Sequence, residues 1–168
     1  MEAAPNGHAF TVLDSAGNIL DSGAASGVTA YKLNADALDL SVANATTLTG
    51  LTGFDLNEHY IGVRDTALHF AAADGTPGTG VPDMLPYLEA VAFTDPVNVA
   101  QASAVYAIFD AMLFAFEEGM SDTALHFAAA DGTLTAGVEG LLVTSDVTSD
   151  GTHLVGWPTV EFTDAATI

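Results

Sequence analysis

The chain has 168 residues, 22 carboxylates against two formal cations, Lys32 and Arg64, and no cysteine, for a net charge of −20. Affinity for phosphate backbones and anionic membranes comes from Lys and Arg, so both partners are argued against, and no disulfide, thiolate metal site or cysteine nucleophile is available. A chain of this length suits one globular domain spanning 1–168, because about 150 residues already remove about 70% of the unfolded surface from water.

Met1-Glu2 and Pro5, with no basic start and no apolar run, do not read as a signal peptide. Ala9–Leu13 and Asn18–Leu20 flank Asp14-Ser15-Ala16-Gly17, which predicts a short hairpin loop. Val28–Leu33 and Ala37–Val42 alternate apolar with polar residues, the period of a half-buried strand. Thr46–Gly53 is ambiguous, and Tyr60–Val63 suits another strand. The prolines and Asp83 of Pro82–Val91 mark the start of a short helix. Asn98 and Gln101 form a capping box ahead of Ala102–Phe116, which is apolar except for Ser103 and Asp110. A helix from Asn98 to Gly119 is therefore predicted, apolar on nearly every side and so interior. Asp110, Glu117 and Glu118, without flanking Lys or Arg, argue against a membrane span. Strand patterns return at Thr123–Ala130, Leu134–Val143, His153–Trp157 and Thr159–Thr163. Strands, then helices, then strands indicate α+β. The expected fold is a mostly antiparallel, curved sheet with hairpins, wrapped on a long buried central helix.

Gly62–Val81 recurs 57 residues later as Gly119–Val138, with 15 of 20 positions identical, including one unbroken string from Asp65 to Thr76. Similarity stops outside that window, unlike an old duplication or a constant-period solenoid. Copying of a local phrase by a sequence-generating procedure is the simplest description, and a computationally designed chain is the expectation.

Thr66–Gly75 and its copy Thr123–Gly132 resemble the first-helix phrase of ankyrin repeats. That likeness implies an alternative fold, an ankyrin-like α-solenoid binding protein through a concave face, although the spacing is 57 where ankyrin repeats every 33 residues. Ala104–Gly140 resembles the helix-to-strand opening of the nuclear transport factor 2-like cone fold. This implies a small-ligand pocket lined by residues such as Phe109, Phe114, Phe127 and Trp157, and carries over no catalytic residue.

His69 and His126, with Asp74 and Asp131 five positions on, are weak candidates for a zinc or nickel site. The simpler reading is a copied histidine and two turn aspartates ahead of Gly75 and Gly132. Asp146 and Asp150 lack the ligand order of a calcium loop. No G-x-S-x-G elbow and no phosphate-binding glycine loop is present. The expectation is a designed soluble scaffold that is not an enzyme, with no cofactor, no specific partner and at most nonspecific divalent cations. The alternatives are an acidic extracellular structural or protein-binding module and the cone-like pocket protein.

Overall fold

The computed structural model describes residues 9–108, 113–135, 138, 141, 146–147, 153–154 and 160–164. Strands alternate with short helices, and, apart from one two-residue pair late in the chain, paired strands among the described residues lie parallel. β1 (Phe10–Asp14) is followed by α1 (Ala16–Ser22), and β2 (Val28–Leu33) and β3 (Ala37–Leu40) lead into α2 (Val42–Thr49). β4 (Phe54–Asp55) and β5 (Ile61–Asp65) lead into the single turn α3 (Ala67–Phe70) and then α4 (Val81–Met84). β6 (Leu88–Phe93), α5 (Val99–Tyr106), β7 (Leu113–Phe116), β8 (Met120–Asp122) and the single turn α6 (Ala124–Phe127) follow. β9 (Asp146–Val147), β10 (His153–Leu154) and β11 (Val160–Phe162) complete the described strands.

The register shows one coil laid beside the next in chain order. Asp14 stands opposite Leu33, Lys32 opposite Asp55, Leu40 opposite Val63, Asp65 opposite Phe93, Phe93 opposite Phe116, and Met120 between Val97 and Val160. Parallel neighbours need a crossover of about a dozen residues or more, and the short helices supply it in the first several coils. The result is an α/β solenoid.

The buried side chains form one cluster running along the stack, from Ile19 and Leu33 through Leu48, Ile61, Phe70 and Met84 to Phe93, Phe114 and Met120. Successive coils meet through aromatic pairs. Phe70 meets Phe93 edge-on at 5.0 Å, and Phe93 stacks on Phe116 at 5.5 Å. Both formal cations tie coils together at the surface: Lys32 Nζ lies 2.8 Å from Asp55, and Arg64 holds Glu117 bidentately at 2.5 Å, spanning β6.

Several expectations are corrected. The sheet is parallel; among the described strands only the two-residue pair β9–β10 is antiparallel. Asp14–Gly17 does not turn a hairpin, because Ser15 Oγ accepts the Asn18 N–H and starts α1. An Asp-Ser or Asp-Thr step serves a turn and a helix N-cap equally well, and here it caps. The apolar run after Asn98 is not one helix. Its capping box forms as expected, but α5 stops at Tyr106 and the run re-enters the sheet as β7. A continuous apolar run does not by itself distinguish a buried helix from a helix followed by a buried strand. The wrapped-helix architecture is therefore wrong, and Ile108, expected in its core, is 42% exposed. Thr123–Ala130 is not a strand but holds the single turn α6, and Leu88–Val91 is strand, not helix. One-turn helices and a parallel sheet also rule out the ankyrin-like solenoid. The helix-to-strand opening of the cone fold is not formed either, since Phe127 ends α6. Ala37–Leu40, Ile61–Asp65 and Val160–Phe162 are strands where strands were expected. Phe109, Asp110, Met112, Trp157 and Asp150 lie outside the described residues.

Candidate functional site

The chemistry-bearing side chains concentrate where strands hand over to helices. Asp14-Ser15-Ala16, Asp65-Thr66-Ala67 and Asp122-Thr123-Ala124 each end a strand and begin a helix, and the three aspartates make the same local contacts, although only Ser15 also caps its helix with its own hydroxyl. In each, aspartate Oδ1 accepts the next residue's N–H, at 2.8 Å from Ser15, 2.8 Å from Thr66 and 2.7 Å from Thr123. The same oxygen meets the side chain four residues on, Asn18 Nδ2 at 2.8 Å, His69 Nδ1 at 2.6 Å and His126 Nδ1 at 2.5 Å. One helical turn brings residue i+4 back over residue i, so the partner's position follows from the helix.

The second carboxylate oxygen reaches across coils. Asp65 Oδ2 accepts the first N–H of α2, from Val42 at 2.9 Å, and Asp122 Oδ2 accepts that of α5, from Val99 at 3.0 Å. Asp95 and Asp164 do the same for α3 and α6, taking the N–H of Ala67 at 2.6 Å and Ala124 at 2.8 Å. Four helix starts are thus closed by a carboxylate from the following coil, where the helix dipole and the unsatisfied N–H groups favour negative charge. Burial pushes the Asp65 and Asp122 carboxyls up, but His69 or His126 and the two backbone N–H groups outweigh it and hold both below the ordinary carboxylate value.

One rung is missing. Asn34, Thr94 and Thr163 each donate their N–H to the carbonyl of the preceding module's aspartate, Asp14, Asp65 and Asp122. The residue after each is Ala35, Asp95 and Asp164. Among the described residues the α1 start therefore lacks the carboxylate that α3 and α6 receive.

The structure also extends the repeat beyond its copied window. The N-caps Ser41 and Asn98 stand 57 residues apart, as do their carboxylates Asp65 and Asp122. Val42-Ala43-x-Ala45 answers Val99-Ala100-x-Ala102. The repeated unit is a pair of coils, and the identical phrase is the part that closes α2 or α5 and forms the next turn.

Of the four candidate metal ligands, His69 and His126 are 62% and 63% exposed and face Asp65 and Asp122, not Asp74 and Asp131. Asp74 and Asp131 take the N–H of Thr76 and Thr133 at 2.9 and 3.0 Å, closing turns at Gly75 and Gly132, both at φ +83°. Those N–H bonds hold both carboxyls below their ordinary value. Among the described residues no three His, Asp or Glu side chains converge on a metal-sized position. In the histidine pairs both oxygens of each aspartate are occupied by backbone donors. Such a carboxylate orients a helix start.

An open groove of about 420 Å³ lies between the β4–β5 connection and Pro86–Glu89, lined by Asp55, Glu58, His59, Tyr60, Tyr87 and Glu89 among others. Asn57 and Glu58 line it in left-handed backbone, at φ 53° and 68°. Phe114 and Phe127, expected to line a cone-like cavity, are instead buried in the core. The cross-coil caps escaped the sequence reading because an aspartate before Ser or Thr signals only a local cap. The visible signal was Asp-Ser/Thr-Ala occurring three times, not twice. No protein-family model, curated protein or solved structure matches the chain.

Proposed function

We propose that this chain is a structural repeat module, an acidic stack of βα coils that sets distance and stiffness and has no catalytic role. The observation that carries the reading is the ladder of aspartates, each closing the helix start of the coil before it. A polar contact repeated at successive coil boundaries favours stacking itself, whereas a catalytic centre would need groups converging at one place. Repeat arrays draw their stability from nearest-neighbour interfaces, and here each interface combines a strand ladder, an apolar contact and a charged cap. The many solvated carboxylates keep such a stack soluble. The copied phrase, which read from sequence suggests design, acquires a structural role in the two-coil unit, and a designed scaffold built on that unit would behave alike.

The test is to lengthen the stack by one unit. Inserting a second copy of residues 41–97 between Val97 and Asn98 keeps every cap in phase. Two more parallel strands in the sheet of β5 and β6, at about 4.8 Å each, should lengthen the particle by roughly 10 Å. Small-angle scattering and thermal unfolding would report it. A lengthened chain that fails to fold, or melts below the parent, would sink the reading.

A further inference from the structure

We propose that the groove between the β4–β5 connection and residues 86–89 binds a small organic cation, its charge beside Glu58 and Glu89 and its apolar body against Tyr60 and Tyr87. This adds a binding site to the stack and does not depend on the stacking role above.

The two repeated units part company at this groove. β4 and β7 are counterparts, because Tyr31 stands opposite Phe54 and Ala90 opposite Leu113 at the same offset, and Leu113 lies 57 residues beyond Leu56. In the second unit Leu113-Phe114-Ala115-Phe116 is apolar and stays in the sheet as β7, with Phe114 buried. In the first unit the same places hold Leu56-Asn57-Glu58-His59, and the chain leaves the sheet after Asp55. Asn57 and Glu58 then enter left-handed backbone, which residues bearing a Cβ adopt only at a cost. A strand fits these places in the second unit, so stacking does not require the departure. Its product is a concavity of about 420 Å³, inside the roughly 300–1,000 Å³ of small-ligand sites.

The walls are held in place before any ligand arrives. Asn57 donates its N–H to the Asp55 carboxylate at 2.9 Å and its Nδ2 to the Leu33 carbonyl at 3.0 Å. Asp36 Oδ1 accepts the Tyr60 N–H at 3.1 Å and lies 3.2 Å from His59 Nδ1. On the opposite wall the Tyr87 ring meets buried Phe54 edge-on at 5.6 Å. Such preorganisation lowers the ordering cost of binding. The lining then selects the ligand. Asp55 is committed to Lys32 at 2.8 Å, which leaves Glu58 and Glu89 as the groove's unpaired carboxylates among the described residues. Arg64, the other cation of the chain, is held by Glu117, so no Lys or Arg remains to neutralise them. No three His, Asp or Glu side chains converge on a metal-sized position among the described residues, which disfavours a bare metal ion. Two tyrosines beside two carboxylates instead suit a cation with an organic body, which gains charge contact from the carboxylates and ring contact from the tyrosines.

The experiment is an NMR titration of the full chain with choline chloride, matched against NaCl at the same ionic strength. Choline is monovalent like Na⁺, so the net charge of −20 alone does not favour it. Saturable shifts confined to residues 55–60 and 86–89 are expected with choline, in the millimolar range, and none that saturate with NaCl. Tyr60→Ala should weaken binding about two- to fivefold, the loss of one exposed ring contact. Glu58→Gln combined with Glu89→Gln should weaken it at least as much, whereas Asp21→Asn, an exposed carboxylate outside the groove, should leave it unchanged. All of these side chains belong to exposed residues, and circular dichroism checks that each variant folds. Choline shifts that do not saturate, that spread over the surface as those of NaCl do, or that keep the parent affinity in folded Tyr60→Ala or in the folded double variant would each overturn the proposal. The stacking role is read from the lengthened chain and stands or falls separately.

Discussion

Removing the Asp65 carboxylate should destabilise the protein far more than removing Asp14, although the two sit in the same local motif. In Asp65→Ala the N–H of Val42, in a buried residue, loses its partner, as do Thr66 N–H and His69. An orphaned buried donor costs about 1–3 kcal/mol and a lost N-cap about 1 kcal/mol, while the exposed histidine pair contributes little. The expected loss is therefore about 2–4 kcal/mol, which at an m-value near 2 kcal/mol/M lowers the urea midpoint by roughly 1–2 M. Asp14→Ala breaks only local bonds, to Ser15 N–H and Asn18, with no bond across coils among the described residues, and should move the midpoint little. The pH dependence has a definite sign. Asp65 is held below its ordinary value in the folded protein, so its stabilisation is present above the unfolded value of about 3.9 and is lost as pH falls through the lower folded value. The gap between parent and Asp65→Ala should thus be constant near neutrality and close in acid. Equal midpoints for Asp65→Ala and Asp14→Ala, or a gap unchanged in acid, would refute the cross-coil cap.

Ala35→Asp should supply the missing rung, closing Ala16 N–H and raising stability by about 0.5–1 kcal/mol; a lower melting temperature would show that the carboxylate cannot reach. Gly75→Ala should cost more than Gly132→Ala, because both glycines sit at φ +83° but, among the described residues, only at Gly75 would a Cβ meet backbone, the Ala100 carbonyl oxygen at 2.8 Å. Matched urea curves for the two variants check this, and equal losses would count against the packing of the first turn on α5. Thermal stability should rise between low salt and about 1 M salt, with Mg²⁺ acting at lower concentration than Na⁺, since Lys32 and Arg64 are already paired and leave the other carboxylates to repel. Calorimetry that finds no salt dependence would show the carboxylates are too dispersed to matter.

Local chemistry was legible wherever one short segment holds all the partners. The Asn98–Gln101 capping box, the strands at Val28–Leu33 and Ile61–Asp65, and the Asp74 and Asp131 turns all depend on residues close in sequence. The parallel arrangement was not legible. Asp-Ser and Asp-Thr specify a reversal or a helix start equally well, and only the apolar contacts between coils, such as Phe70 on Phe93 and Phe93 on Phe116, choose the helix. The division of Ala102–Phe116 into α5 and β7 has the same origin, because an apolar run is compatible with either element until its neighbours fix which backbone groups need partners. The cross-coil caps were decided last. Asp65 Oδ2 finds Val42, and Asp122 Oδ2 finds Val99, 23 residues earlier in each case, only after the coils have stacked in register, so no local pattern can announce them.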